Sequence, residues 1–348
     1  MGLDPIKIQR TFRLSFAFLI TFLLTWYYEI PEKGWCFITL CVVLYEYTTV
    51  GGVLSKSYLR FIGTITAALY SLIVIYFFNN DAMINLIALM TGAFVYTYFF
   101  MSGSQNYIGL LGTMTLTIML VNYNNIDATV LRPMNITIGI LISLFVLLFF
   151  YPQYARKIVI DIQADFLQNL ANMLEVFLNK DLVLETVKQD YLIYESAFLD
   201  NLNEYRRYIE EAQFETKKVP SFYIKSKLAV TYTKRIYHLI SVFVFHLSSD
   251  ELRSNPIIRE NLTNILDYLH ALRARLMSQG YEENQVSLLS LDTDINTTLQ
   301  PKDPVVFIHL LFVELSNELS SLNQLIDEIL FIRFSDYTLE KESACSLR

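Results

Sequence analysis

Residues 134–151 read MNITIGILISLFVLLFFY: eighteen residues without a charge, in which β-branched, leucine and phenylalanine side chains point in every direction. A surface helix needs only one apolar stripe, and a strand of this length needs a polar face. A run that is apolar all round and about 27 Å long as a helix matches the hydrocarbon thickness of a bilayer. Working outward from it, five more runs share the property. They lie at 11–28, 34–50, 58–78, 82–101 and 105–122, the last being the weakest. Short polar links at 29–33, 51–57, 79–81, 102–104 and 123–133 separate them. Inside lipid each backbone N–H and C=O must be satisfied within its own segment, so each run is expected to be a helix.

Charge divides the chain in the same way. Residues 1–152 hold seven Lys/Arg and six Asp/Glu, a net of +1; residues 153–348 hold 20 and 28, a net of −8. Only 18% of the chain is charged and 53% is hydrophobic, which argues against an ordinary soluble enzyme. The net charge of −7 argues against a nucleic-acid partner. The first run has a basic start (Lys7, Arg10, Arg13) but ends in Trp26, Tyr27, Tyr28, Glu29 without a small-residue cleavage site, so it reads as a retained anchor. Lys7, Arg10, Arg13, Lys56, Arg60, Arg156 and Lys157 fall on one side of a six-helix arrangement, and only Lys33 and Arg132 on the other. The positive-inside rule then puts both termini in the cytoplasm, as in a bacterial inner membrane protein.

From 153 onward the pattern becomes amphipathic. Ile158, Ile162, Phe166, Leu170, Leu174 and Phe177 form one stripe; Ile308, Phe312, Leu315, Leu319, Leu322, Ile326 and Ile329 form another. Helices are expected near 186–214, 222–248 and 256–279, a loop over 281–303, and fraying over the last dozen residues. HLISVFVFHL at 238–247 is too short to span and reads as buried core. The predicted class is all-α: a transmembrane module of six helices over 1–152, then a cytoplasmic helical bundle over 153–348.

Residues 35–64, WCFITLCVVLYEYTTVGGVLSKSYLRFIGT, carry a longer pattern: Trp35, a Thr, a β-branched run, Tyr45-Glu46-Tyr47-Thr48, a Gly turn, Ser55-Lys56, and Arg60 followed by Gly63-Thr64. This resembles the signature of the fusaric acid resistance superfamily of membrane proteins, and within it the plant aluminium-activated malate transporter branch. The resemblance implies a transporter of organic anions, exporting aromatic or small carboxylic acids. Bacterial members of the efflux branch often carry two such modules; one module here implies a homodimer.

The candidate transport residues follow. Glu46 is the most inward carboxylate, about 7–8 Å inside the second run if that run is helical to Gly51. It either takes up and releases a proton or pairs with Lys56 or Arg60 to lock two helices. Lys56 and Arg60 sit at the cytoplasmic mouth, where fixed cations offset the lost hydration of an entering anion; the alternative is that they anchor the topology. Arg60 heads a stripe with Thr64, Ala67 and Ser71, which lines a path or admits a neighbouring helix. Gly109, Thr113 and Thr117 give the fifth run a polar face with the same two readings. Arg132, just outside the last run, either attracts anions from the far side or is a simple loop charge. Lys217, Lys218, Lys225, Lys227, Lys234 and Arg235 make a basic cluster that reads as a solvated helix face, a contact with anionic headgroups or a gatherer of anionic substrate near the mouth. The four histidines and three cysteines show no metal spacing, so no metal or other cofactor is expected. GxxxxGK[ST] is missing from the sequence, so ATP is not expected as a driving force, and no nucleophile signature suggests catalysis. The proton gradient or the anion's own gradient remains as the driving force. A passive anion channel is the first alternative. A membrane-tethered interaction protein is the second.

Overall fold

The computed structural model describes residues 5–46, 48–78, 81–103, 105–122, 126–178, 184–215, 220–246, 256–278 and 304–345, with some side chains at the segment ends excepted. Those residues form eleven helices and no strand. They divide into two compact units, Met1–Ala155 and Arg156–Arg348. The expected loop at 281–303, together with Tyr47, Lys217 and Lys218, lies outside the described residues.

The first unit holds α1 (Pro5–Tyr27), α2 (Gly34–Leu44), α3 (Val50–Phe77), α4 (Ala82–Phe100), α5 (Asn106–Val121) and α6 (Ile126–Phe149). Four helical stretches are long and apolar enough to cross a membrane: Ile8–Tyr27, Val50–Phe77, Ala82–Phe100 and Val130–Phe149. Two apolar helices, α2 and α5, are shorter.

The helices pack as two groups. α2 and α1 lie on α6 around Ala17, Leu40, Val43, Val53, Val146 and Leu147. α5 lies against α3 and α4 around Ala67, Val74, Ala88, Leu116 and Leu120. α3 also contacts α6 and so joins the groups. Two glycines set the closest approaches. A Cβ on Gly63 of α3 would stand 3.0 Å from the Ile108 carbonyl of α5, and one on Gly139 of α6 would stand 2.9 Å from the Cys36 carbonyl of α2. Outward faces carry Phe22, Phe94, Tyr98, Leu141 and Phe149, all exposed. A rim of large apolar side chains around a packed interior suits contact with hydrocarbon rather than water.

Three expected boundaries are corrected. The second run does not continue to residue 50: α2 stops at Leu44 after 11 residues. Thr49 is extended and caps α3 instead, its hydroxyl accepting from the Gly52 N–H at 3.0 Å. Threonine side chains that bond the backbone compete with helix and favour such caps. The cap is held from afar as well, because the Val50 N–H donates to the Gln153 carbonyl at 2.8 Å. α3 therefore begins at Val50, and Gly51–Ser57, expected as a link, forms its first two turns. Likewise α6 begins at Ile126 and runs through Pro133, so much of the expected 123–133 link is helix. The proline removes one backbone donor, but the apolar run beyond it continues the helix.

The second unit holds α7 (Ala155–Leu178), α8 (Leu184–Glu215), α9 (Pro220–His246), α10 (Pro256–Met277) and α11 (Pro304–Cys345). α11 continues as helix to Cys345 where fraying was expected. Both predicted stripes are buried, apart from a half-buried Ile158. Aromatic side chains fill the core: Phe166 meets Phe198 at 5.0 Å between ring centres, Phe198 stacks on Tyr237 at 4.7 Å, and Phe243 meets Phe312 at 4.9 Å. Ile240 and Phe243 are fully buried, as the reading of 238–247 requires. Some of the polar atoms inside are matched. Gln163 donates to Thr233 at 2.8 Å, and the Tyr205 hydroxyl donates to the Ser226 carbonyl at 2.7 Å. Burial pushes the Tyr205 phenol well above its ordinary range.

Candidate functional site

The basic residues singled out from the sequence meet at the start of α3. Lys56 and Arg60 lie one turn apart on its inner face, 9% and 3% exposed. Lys56 Nζ is 2.9 Å from Glu46 Oε2 and 3.7 Å from the centre of the Tyr107 ring. Arg60 Nη1 donates to the Tyr107 hydroxyl at 3.3 Å. The first turn of α5 thus supplies an aromatic shelf for both cations, a residue the sequence reading passed over. Only its position, at the head of a polar run, hinted at it.

Glu46 occupies a different place from the expected one. It follows the end of α2 in the turn, and its side chain is 53% exposed. Its ion pair with Lys56 joins that turn to α3, the locking role foreseen as the alternative to proton transfer.

The Arg60 stripe faces inward along its whole length. Ser57, Arg60, Thr64, Ala67 and Ser71 are all buried. Among the described residues, Ser57 Oγ, Arg60 Nε and Ser71 Oγ have no hydrogen-bond partner. Buried polar groups without a partner are costly, and a row of them on one helix face is a place for water or for a polar solute. Arg60 lies about 15 Å along α3, well inside the apolar part of the helix.

The fifth run behaves otherwise. The Thr113 hydroxyl donates to the Gly109 carbonyl and that of Thr117 to the Thr113 carbonyl, both at 2.9 Å. Thr113 is half-buried and Thr117 exposed, and no hydrogen bond among the described residues links either to Lys56 or Arg60. Gly109 faces α4, where its Cβ would stand 3.2 Å from the Tyr96 carbonyl.

Two further arginines were misjudged. Arg13 is 4% exposed and clamps two carbonyls, of Thr48 at 3.0 Å and of Tyr151 at 2.6 Å. Arg132 is no loop charge: it lies in α6, 5% exposed, with its guanidinium 3.7 Å above the Trp35 ring. Of the basic cluster in the second unit, Lys225 pairs with Glu328 at 2.8 Å and Arg235 with Glu318 at 3.1 Å. No group of acidic, histidine and cysteine side chains among the described residues has the arrangement of a metal site.

Four helices long and apolar enough to cross a membrane suit an integral membrane protein. Residues 8–343 match the fusaric acid resistance protein family. The chain belongs to that family. The match covers nearly the whole chain, and therefore both units, where the motif at 35–64 spoke only for the first. No curated relative matches the sequence. Membership of this family is consistent with a transporter of the efflux kind.

Proposed function

We propose that this family member exports organic anions, aromatic or small carboxylic acids, across a bacterial-type inner membrane. The observation that carries the reading is the inner face of α3, where Arg60 stands 3% exposed and, among the described residues, its Nε and the hydroxyls of the buried Ser57 and Ser71 have no hydrogen-bond partner. A carboxylate leaving water for a low-dielectric passage loses hydration, and a preorganised guanidinium replaces it. On this reading Arg60 receives the anion. Lys56, held by Glu46 and Tyr107, keeps the mouth positive, and Thr113 and Thr117 give α5 a polar side. All six apolar helices form the membrane module, the second unit is a cytoplasmic bundle, both termini are cytoplasmic, and two copies pair. Energy comes from the proton gradient or the anion's own gradient, not from ATP.

One observation favours a second reading, a passive channel of the aluminium-activated malate transporter kind. Glu46 is half exposed and ion-paired, and a proton-coupling carboxylate is better served by burial. Proteoliposome flux with and without a pH gradient separates the two. Under coupling, Glu46→Gln abolishes uphill transport; under channel conduction it leaves the flux intact. Both readings expect Arg60→Ala to suppress the flux, and a flux unchanged by either substitution would sink both.

A further inference from the structure

Arg132 stands apart from the cluster just described. The residue is 95% buried, by an exposure of 5%, and among the described residues Nε and Nη1 have no hydrogen-bond partner. Its one described contact is the face of Trp35. Asn135, one turn along α6, turns its amide to the link after α1, donating to the Pro31 carbonyl at 2.8 Å and the Glu32 carbonyl at 3.2 Å. The Asn135 carbonyl accepts from the Cys36 thiol at 3.2 Å. The Glu32 carboxylate is close enough for its charge to act on Arg132, but makes no ion pair with it among the described residues. A guanidinium stacked on an indole is oriented by the ring and keeps its edge donors in the ring plane, available to a planar acceptor.

Depth gives the site its meaning. Val50 is bonded to Gln153, so the start of α3 and the end of α6 lie at one level. Counting along each helix, Arg60 stands about 15 Å from that level and Arg132 about 26 Å. The two cations are thus about 10 Å apart in depth. The charge of Arg60 also acts on Arg132. Two cationic stations at successive depths let an anion bind each weakly enough to leave again.

We infer that Arg132, stacked on Trp35, is a second carboxylate-binding station, nearer the far side of the membrane than Arg60. It rests on the anion-transport reading for its purpose and on its own geometry for its chemistry. Monocarboxylates suit it, because one guanidinium neutralises one charge and offers several N–H donors to two oxygens.

Trp35 reports on the site directly. The chain has two tryptophans, so Trp26→Phe leaves Trp35 as the single indole emitter. The full-length protein in a non-ionic, phospholipid-free detergent is titrated with sodium benzoate, with sodium chloride at equal ionic strength as control. A saturable change in emission with benzoate is expected. Arg132→Gln weakens it by roughly tenfold or more, the factor for losing hydrogen bonds to a charged group. Arg132→Lys keeps the charge without the stacked plane and decides the matter should the glutamine variant fail to fold: an affinity reduced roughly tenfold supports the site, an unchanged one overturns it. A Trp35 response to phosphatidylglycerol but not to benzoate overturns it too, by assigning the arginine to a lipid headgroup. Saturable binding in a protein whose proteoliposomes carry no benzoate leaves the station standing and removes the transport reading. Flux with a silent Trp35 does the reverse.

Discussion

The two units pair their cations differently, and of the second unit's three only Arg275 is inward: the Arg235 side chain is 58% exposed and that of Lys225 32%. In the second, Lys225 meets Glu328, Arg235 meets Glu318, and Arg275 meets Asp327 at 2.5 Å. In the first, Arg13 rests on carbonyls, Arg60 on a phenol and Arg132 on an indole; among the described residues, Lys56 is the one of the four with an ion-paired carboxylate. A cation sunk in a low-dielectric interior without a counter-charge is unfavourable, and replacing it with an apolar side chain often stabilises. Holding such groups makes sense where an anion visits. The second unit sets cations against carboxylates; the first sets most of its buried cations against neutral groups.

The largest expected effect tests that contrast at Arg60. Arg60→Met should reduce anion flux in proteoliposomes by roughly tenfold or more while leaving the melting temperature in detergent unchanged or higher. A large loss of thermal stability with flux preserved would make Arg60 a structural pin and dissolve the contrast. Next in size is a packing change that should harm any function: Gly139→Val. Its side chain would press on the Cys36 carbonyl and Thr39, so a loss of about 1–3 kcal/mol in folding free energy is expected, read by thermal denaturation in detergent.

In the second unit the prediction changes sign relative to Arg60. Asp327→Ala leaves Arg275, whose side chain is 11% exposed, without its carboxylate, so chemical denaturation should show a loss of about 1–2 kcal/mol and no direct change in flux. A gain in stability there would mean that the two units do not differ as argued. The smallest effect is Tyr205→Phe, which removes the donor to the Ser226 carbonyl and costs about 1 kcal/mol by the same measurement.

What the sequence made legible, and what it did not, follows from the range of the forces involved. The apolar runs and the two stripes of the second unit are local patterns, and the helices they predict are present. The break after Leu44 was not legible, because 34–50 is mostly apolar, with Glu46 its one charge, and contains neither proline nor a mid-run glycine. What ends α2 is a set of distant partners: Gln153 on Val50, and Arg13 on the Thr48 carbonyl. Glu46 was misplaced with it. Arg132 was misread for the opposite reason, since Pro133 beside it is a local signal for a link that the surrounding packing overrides. Lys56 and Arg60 were found because a charge near an apolar run stands out by itself. Tyr107, Trp35 and Asn135 were missed because nothing local marks an aromatic or an amide as a cation's neighbour.

The Arg13 clamp has a consequence for how the polypeptide matures. Its two acceptors lie 35 and 138 positions away along the chain. The first helix therefore enters the bilayer long before its second acceptor has left the ribosome. The contact at Tyr151 forms only once the polypeptide has been made past all six helices of the first unit, so it ties the first of them to the end of the last.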